Sequence, residues 1–540
     1  MQNKLKFSVN LAKKIFFCRD TGILTLCLLG AGLLSVCLEQ ELLSDLFMYH
    51  YYNGFAFLNN RLAFDIAPGQ VATYYNPLLD TAWYLLNKTF SQYPFMFVMG
   101  FPAGIALFLT YKIADLFFPE RKSVWIPACL LISLTGFSFF RQIGTCSHEI
   151  TLACFVLAAL YLLLKNPTKS FPYFIAGALL GAAAGLKLTV AVYCVSTGIT
   201  LILFYKKLEK PKTFIGLFIL GGLTGFLATN GFWLWTLWKN FQNPFFPFWN
   251  KIFKSPYFFH ENYVDDLHLS YSWKKLLFLP FWIFSENIRN LADPKSLTGN
   301  ISFFDARWVI GYFLLFGFLI KLFNRDFRAN VSEKTLFIVT FLFISYLTWL
   351  LSSQNIRFAV PVEMLFGIVF IKALSLCPYP KGSFKEVAAN SAVFTFFLIL
   401  VLTAPFSAPW GVYFRFSVPD NAVLPKNALI LTNDTLTSYL AATLAERTNA
   451  RIINSFGKSN VTYSDFSDSN RFSEVKKELV AQNRFPVISL LYLPKNEEPQ
   501  RKNNSCYRIK TEEKFILNEK AHFFLCSEPE IINNIFYNDP

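Results

Sequence analysis

The feature that most restricts what this chain can fold into is a succession of long apolar runs. Eleven stand at about 21–38, 92–118, 123–140, 149–165, 171–186, 188–205, 213–237, 308–323, 335–352, 358–376 and 387–408. Each is long enough, or nearly so, to cross a hydrocarbon core of ~30 Å. The pair 171–186 and 188–205 also reads as one broken hairpin around Lys187. Composition agrees with membrane spans: 16% of residues are charged and 54% hydrophobic, and mean hydropathy is +0.37. A soluble protein carries roughly a quarter charged residues. The expected fold class is a mainly α polytopic membrane protein of about 11 transmembrane helices, with a small C-terminal α/β domain.

The formal net charge of +15 does not imply a nucleic-acid partner. Lys and Arg cluster in short links between spans: Glu120-Arg121-Lys122, Lys165 to Lys169, Lys206-Lys207 to Lys212, Lys321 to Lys334, and Lys381 to Lys385. The tail after about Lys426 is roughly balanced in charge. That is the positive-inside pattern, which sets orientation. Lys4, Lys6, Lys13, Lys14 and Arg19 precede the first span and place the N-terminus in the cytoplasm. No small-x-small cleavage site follows that span, and Val36 before Cys37 speaks against a lipoprotein signal, so it reads as a retained helix. Eleven spans then put the C-terminus outside. In this topology His50, His148, His260, His268 and His522 all fall on the outer side. Of ten cysteines only Cys506 and Cys526 lie in the polar tail. A disulfide between them is open if that tail is outside the cytoplasm.

Two modules follow, 1–409 in the membrane and 410–540 outside it. The membrane module has long outer loops at 39–91 and 238–307. The first loop is crowded with acid/base and amide groups: Asp45, Tyr49-His50-Tyr51-Tyr52-Asn53, Arg61, Asp65, Tyr74-Tyr75-Asn76-Pro77 and Asp80. A plain connector is a few polar residues, so this loop points to an active site at the membrane surface. In the second, Asn243-Pro244-Phe245-Phe246-Pro247-Phe248-Trp249-Asn250 is too proline-rich for a regular helix, and Tyr271 to Phe284 reads as a helix lying in the interface. The tail alternates strand (427–432), helix (435–447), strand (451–454), helix (471–482) and strand (487–492), with two short strands near Cys506 and Cys526. That alternation gives a small α/β domain, read as a scaffold or acceptor-docking cap.

The loop Asp45…Tyr49-His50-Tyr51-Tyr52-Asn53…Arg61…Asp65-Ile66-Ala67-Pro68…Asn76-Pro77-Leu78-Leu79-Asp80 resembles that of the glycosyltransferase family 87-like group of bacterial membrane proteins. So do Gly185-Leu186-Lys187-Leu188-Thr189, Asn243-Pro244 to Asn250 with Ser255-Pro256-Tyr257, and Asp305-Ala306-Arg307-Trp308. The group belongs to the GT-C superfamily of inverting transferases that use polyprenyl-phosphate-linked sugars. The resemblance covers about three quarters of the chain and adds little for the tail.

It implies an enzyme of the cell envelope, in the bacterial inner membrane with its C-terminal domain periplasmic. Its partners would be a polyprenyl-phosphate-linked sugar donor, a glycan or lipid acceptor, and membrane lipids. An essential acid lies in the first outer loop of GT-C enzymes, and Asp45 matches that position best, as general base. Asp65 is the second choice, and Glu149 in the next outer loop a second acidic site or a helix-opening carboxylate. The lipid phosphate needs cations. Arg357 comes first, because guanidinium grips phosphate in a bidentate manner; Lys187, Arg307 and Arg141 follow. His50, Tyr52, Asn53, Asn76 and His148 complete the candidate substrate contacts. Cofactor use stays open: a divalent metal, Mg or Mn, has Asp45, His50, His148 and Glu149 as candidate ligands. The alternatives are a lipid-linked sugar flippase or transporter, a glycan polymerase or ligase, and a non-catalytic scaffold.

Overall fold

The computed structural model describes residues 2–38, 40–41, 45–119, 125–262, 274, 277–278, 281, 307–321, 323–325, 328, 331–375, 410–411, 425, 427–454, 471–481, 486–494, 505–508 and 521–527. The eleventh expected span (387–408), His268 and most of the expected interfacial helix lie outside the described residues. The other ten expected spans are helical. The helices are α1 (Gln2–Leu38), α2 (Tyr51–Leu58), α3 (Leu78–Thr89), α4 (Gln92–Met99), α5 (Phe101–Phe117), α6 (Trp125–Leu134), α7 (Phe137–Arg141), α8 (Glu149–Lys165), α9 (Phe171–Leu186), α10 (Ala191–Leu203), α11 (Pro211–Phe241), α12 (Asn250–Phe253), α13 (Arg307–Lys321), α14 (Glu333–Ser352), α15 (Val360–Ser375), α16 (Ser438–Arg447) and α17 (Arg471–Ala481). Four stretches, Arg19–Leu38, Gln92–Phe117, Pro211–Phe241 and Glu333–Ser352, are each long and apolar enough to cross a membrane. The chain is a multi-pass membrane protein, mainly helical, with a small C-terminal mixed sheet.

Two spans depart from unbroken helices, for local reasons. The run 123–140 stops at Leu134 and restarts at Phe137, because Gly136 is extended (φ −58°, ψ 133°). The restarted turn is capped from elsewhere: the Phe139 N–H donates to Glu363 Oε2 at 3.1 Å. The pair around Lys187 is α9 and α10, separated by Lys187 in extended backbone (φ −151°, ψ 116°) and a short 3-10 turn, Leu188–Val190. That break turns the Lys187 ammonium toward Ser147 and Glu149 before α8.

Helix contact is closest between α9 and α11. A Cβ on Gly181 would lie 1.9 Å from the Gly222 carbonyl oxygen, and one on Gly221 2.0 Å from that of Phe174. Small residues let two backbones meet, which is how helices associate where the solvent is itself apolar. Gly181→Leu must push the helices apart. We expect a loss of about 1–3 kcal/mol, read as a lower thermal midpoint of the detergent-solubilised protein; an unchanged midpoint would show that the seam gives.

The C-terminal sheet consists of β3 (Leu429–Thr432), β4 (Arg451–Asn454), β5 (Val487–Pro494), β6 (Ser505–Arg508) and β7 (Ala521–Ser527), after the two-residue strands β1 (Gln40–Glu41) and β2 (Trp410–Gly411) that pair with each other. Its order is β4-β3-β5-β7-β6. β3 is parallel to β4 and β5, and β7 antiparallel to β5 and β6. Helix α16 makes the crossover that a parallel pair requires. Cys506 and Cys526 face each other across β6 and β7 and form a disulfide.

The sheet does not stand apart from the membrane part. Ile66 of the loop 39–91 pairs in parallel with Ile453 on the β4 edge, through Ile66 N–H to Ile452 O (2.9 Å) and Asn454 N–H to Ile66 O (3.0 Å). Glu446 at the end of α16 accepts from Tyr51 (2.7 Å), Tyr84 (2.8 Å) and Lys88 (2.6 Å). The loop lies between helices and sheet, held from both sides.

Candidate active site

Asp45 starts the site. It sits immediately before a wide π-helical turn, Leu46–His50, that runs into α2. Such turns are rare and frequent at functional sites. Its Oδ2 accepts from Arg357 at 2.8 Å. Arg357 comes from the other end of the membrane part, in the 3-10 turn Ile356–Ala359 between α14 and α15. Asn355 caps that turn through the Arg357 N–H (3.0 Å), and Gln142 Nε2 donates to the Arg357 carbonyl (3.2 Å). Beside this pair the Lys187 ammonium contacts Glu149, and it donates to the Ser147 carbonyl at 3.3 Å.

The two ion pairs are coupled. Burial raises the Asp45 pKa, but the charges of Arg357, His50 and Lys187 outweigh it and hold the carboxyl below the usual range. Lys187 lies 22% and Arg357 33% exposed by side chain. Arg61 and Arg307, by contrast, are 4% and 5% exposed. The first two are therefore cations a ligand can reach.

A second cluster lies one turn away. Asp80 Oδ1 accepts from His50 Nδ1 (2.6 Å) and His148 Nε2 (3.0 Å), and its Oδ2 from Asn53 Nδ2 (3.1 Å). The two imidazoles meet edge to face at 5.1 Å. Burial raises the Asp80 pKa, yet the two histidines outweigh it, so the carboxyl stays well below its ordinary value. His148 moves down from the ordinary imidazole value, because burial outweighs its bond to Asp80. His148 has a left-handed backbone (φ 65°), and Gly144 shortly before it has φ 76°. A side chain at Gly144 would collide with Ser35 Oγ, 2.2 Å from its Cβ. The chain bends sharply there, and the bend delivers the His148 ring to Asp80.

Sequence reasoning named Asp45, Arg357, Lys187, Glu149, His50, Asn53 and His148, and the structure brings these together. It separates the rest. Asp65 is buried in a network of its own: Arg61 donates twice (2.7 and 2.8 Å), Tyr52 OH once (2.9 Å) and the Ile452 N–H once (2.8 Å). Asn76 donates to the carbonyls of Gly185 (3.0 Å) and Thr229 (2.9 Å) and so pins the loop 39–91 to α9 and α11. Arg307 donates to the Ile132 carbonyl (2.7 Å) and contacts Thr135. Arg141 is buried with its guanidinium 5.8 Å from the Phe137 ring. His260 is exposed. The proposed ligand set Asp45, His50, His148 and Glu149 does not converge as such: both histidines meet Asp80, while Asp45 and Glu149 are taken by Arg357 and Lys187. Asp80 and Gln142 were given no role from sequence. Asp80 had a signal, an acid in the first turn of a helix opened by Asn76-Pro77. Gln142 had none.

The fold has a known counterpart. Two crystal structures of ArnT from Cupriavidus metallidurans superpose on this chain. In the one bound to undecaprenyl phosphate the TM-score is 0.54 at 11% identity, covering 94% of this chain and 98% of that one. In the apo state the TM-score is 0.52 at 13% identity, covering 95% and 98%. At such identity the likeness establishes the fold. No protein-family model matches the chain, and no curated protein matches it in sequence, so the narrower resemblance to family 87 gains nothing from these comparisons.

Proposed function

We propose that this chain is an inverting glycosyltransferase. It moves a sugar from a polyprenyl-phosphate donor to a glycan or lipid acceptor at the outer face of a bacterial inner membrane. The observation that carries the reading is the Asp45–Arg357 contact: an acid and a reachable cation from distant parts of the chain meet in one place. The shared fold with a protein that binds undecaprenyl phosphate supports the donor class.

In this reading Arg357 and Lys187 receive the donor phosphate, the first with two parallel hydrogen bonds and the second as a point charge. The acceptor oxygen attacks the anomeric carbon as the bond from that carbon to the phosphate oxygen breaks. The electron pair leaves with the phosphate, where the two cations stabilise it. The acceptor proton goes to Asp45. One displacement inverts the carbon, so no enzyme nucleophile is needed.

The ion pair bears on timing. While Arg357 holds Asp45, the carboxylate is a poor base. A donor phosphate on Arg357 shares that cation and brings negative charge beside Asp45, and both effects raise its proton affinity. Donor binding would thus prepare the base.

The test is release of free undecaprenyl phosphate by the purified, detergent-solubilised protein from a panel of undecaprenyl-phosphate hexoses and pentoses, with an extract of cell-envelope lipids and glycans supplying the acceptor. Arg357→Gln should raise the donor KM about tenfold or more, the scale of one lost charged hydrogen bond of about 1.5–3 kcal/mol. A variant with undiminished donor binding and turnover would remove Arg357 from the site. No release from any donor by wild type would remove the reaction.

A further inference from the structure

Beyond sugar transfer, we propose that His50, Asp80 and His148 form a binding site for one divalent transition-metal ion of the zinc or cobalt kind. The three residues offer ligand atoms that all lie within 4.8 Å of one another. His50 Nδ1 and His148 Nε2 stand 2.6 and 3.0 Å from the same Asp80 oxygen. A tetrahedral ion with bonds of about 2.0–2.1 Å sets its ligands about 3.3 Å apart. To admit it, the Asp80 contact opens by about 0.7 Å at His50 and about 0.3 Å at His148.

Beside the cluster, His50 Nε2 and Asn53 Oδ1 are buried polar atoms with no partner among the described residues. Buried polar groups are normally satisfied, so unpaired ones at a polar cluster are consistent with a solvent or ion site there.

The donor set selects the metal class. Two imidazoles and one carboxylate suit zinc, cobalt, nickel or ferrous iron, whereas magnesium and manganese prefer oxygen ligands. The ion replaces the protons that the two imidazoles donate to Asp80. Three protein ligands leave a fourth position for water or a substrate oxygen. Asn53, already on Asp80 Oδ2, orients the carboxylate from behind. The consequence is positional: the ion would tie the π-helical turn before α2, α3 and the bend before α8 together. These segments lie beside Asp45 and Glu149.

The test needs neither donor nor acceptor, so it fails or succeeds apart from the transferase reading. Full-length protein in detergent is stripped with a chelator and titrated with cobalt(II) alone. We expect one cobalt per chain, visible d–d bands of a low-coordinate ion without thiolate charge transfer, and a raised thermal midpoint. His148→Gln and Asp80→Asn should each weaken binding at least tenfold. In wild type, cobalt should also protect His50 and His148 from carbethoxylation read by mass spectrometry, which reports the site even where a variant does not fold. Absence of stoichiometric binding, thiolate bands, binding unchanged in both variants, or unprotected histidines would each overturn the site.

Discussion

Asp45→Asn is expected to lower turnover by about 10²–10⁴, the contribution of a positioned general base, while polyprenyl-phosphate binding holds or tightens. The second half of that result distinguishes the mechanism. Asparagine keeps the size of the side chain but gives up the charge that holds Arg357 at 2.8 Å. Arg357 then meets an incoming phosphate without a competitor. Were Asp45 only a strut for Arg357, its loss would disorder the guanidinium, and donor binding would weaken together with turnover. Were the chain a scaffold, neither quantity would move. Measuring kcat and the donor dissociation constant separately, with a thermal melt to show that the variant folds, decides among the three. A variant that keeps wild-type turnover would take the base away from Asp45.

The helices were legible because their signal is redundant. Each span rests on many apolar residues, so a single Lys187 or Gly136 does not hide it. The breaks were less legible, because their causes are distant. Nothing near Gly136 announces that Glu363, more than two hundred residues on, accepts from the Phe139 N–H. The site follows the same rule. Residue type marked the acids and cations of the loops between spans, but which acid meets which cation is a property of the folded loops. Asp45 and Asp65 look alike in sequence; one faces a reachable arginine and the other a buried one. Asn76 and Arg307 also look like ligand-binding groups. Both instead hold backbone carbonyls: Arg307 that of Ile132 and Asn76 that of Gly185, near the ends of α6 and α9 where carbonyls lack partners of their own, and Asn76 also that of Thr229 within α11. The His50–Asp80–His148 cluster joins positions from two loops and a helix, and no short spacing in the sequence announces it.

Asp65→Ala should destabilise the protein by about 3–5 kcal/mol, because removing one member of a buried pair leaves the other charge uncompensated. Arg61 is that charge. It donates twice to Asp65, reaches the Ala450 carbonyl, and lies between Phe55 and Phe64 at 5.1 and 5.0 Å from their ring centres. Asp65 also accepts from the Ile452 N–H at the strand edge where Ile66 pairs with Ile453. Its loss therefore strikes the seam between the loop 39–91 and the C-terminal sheet. The thermal midpoint should fall, and protease should cut first near Arg451. Turnover of the molecules that remain folded should be nearly wild type, since Asp65 has no contact with Arg357 or Lys187 among the described residues. The opposite pattern, a stable protein with abolished turnover, would move the base from Asp45 to Asp65. The double variant with Arg61→Leu separates the causes further: removing both charges should recover part of the lost stability, because a buried pair can be replaced by apolar groups at little cost, and it should recover no activity if Asp65 were the base.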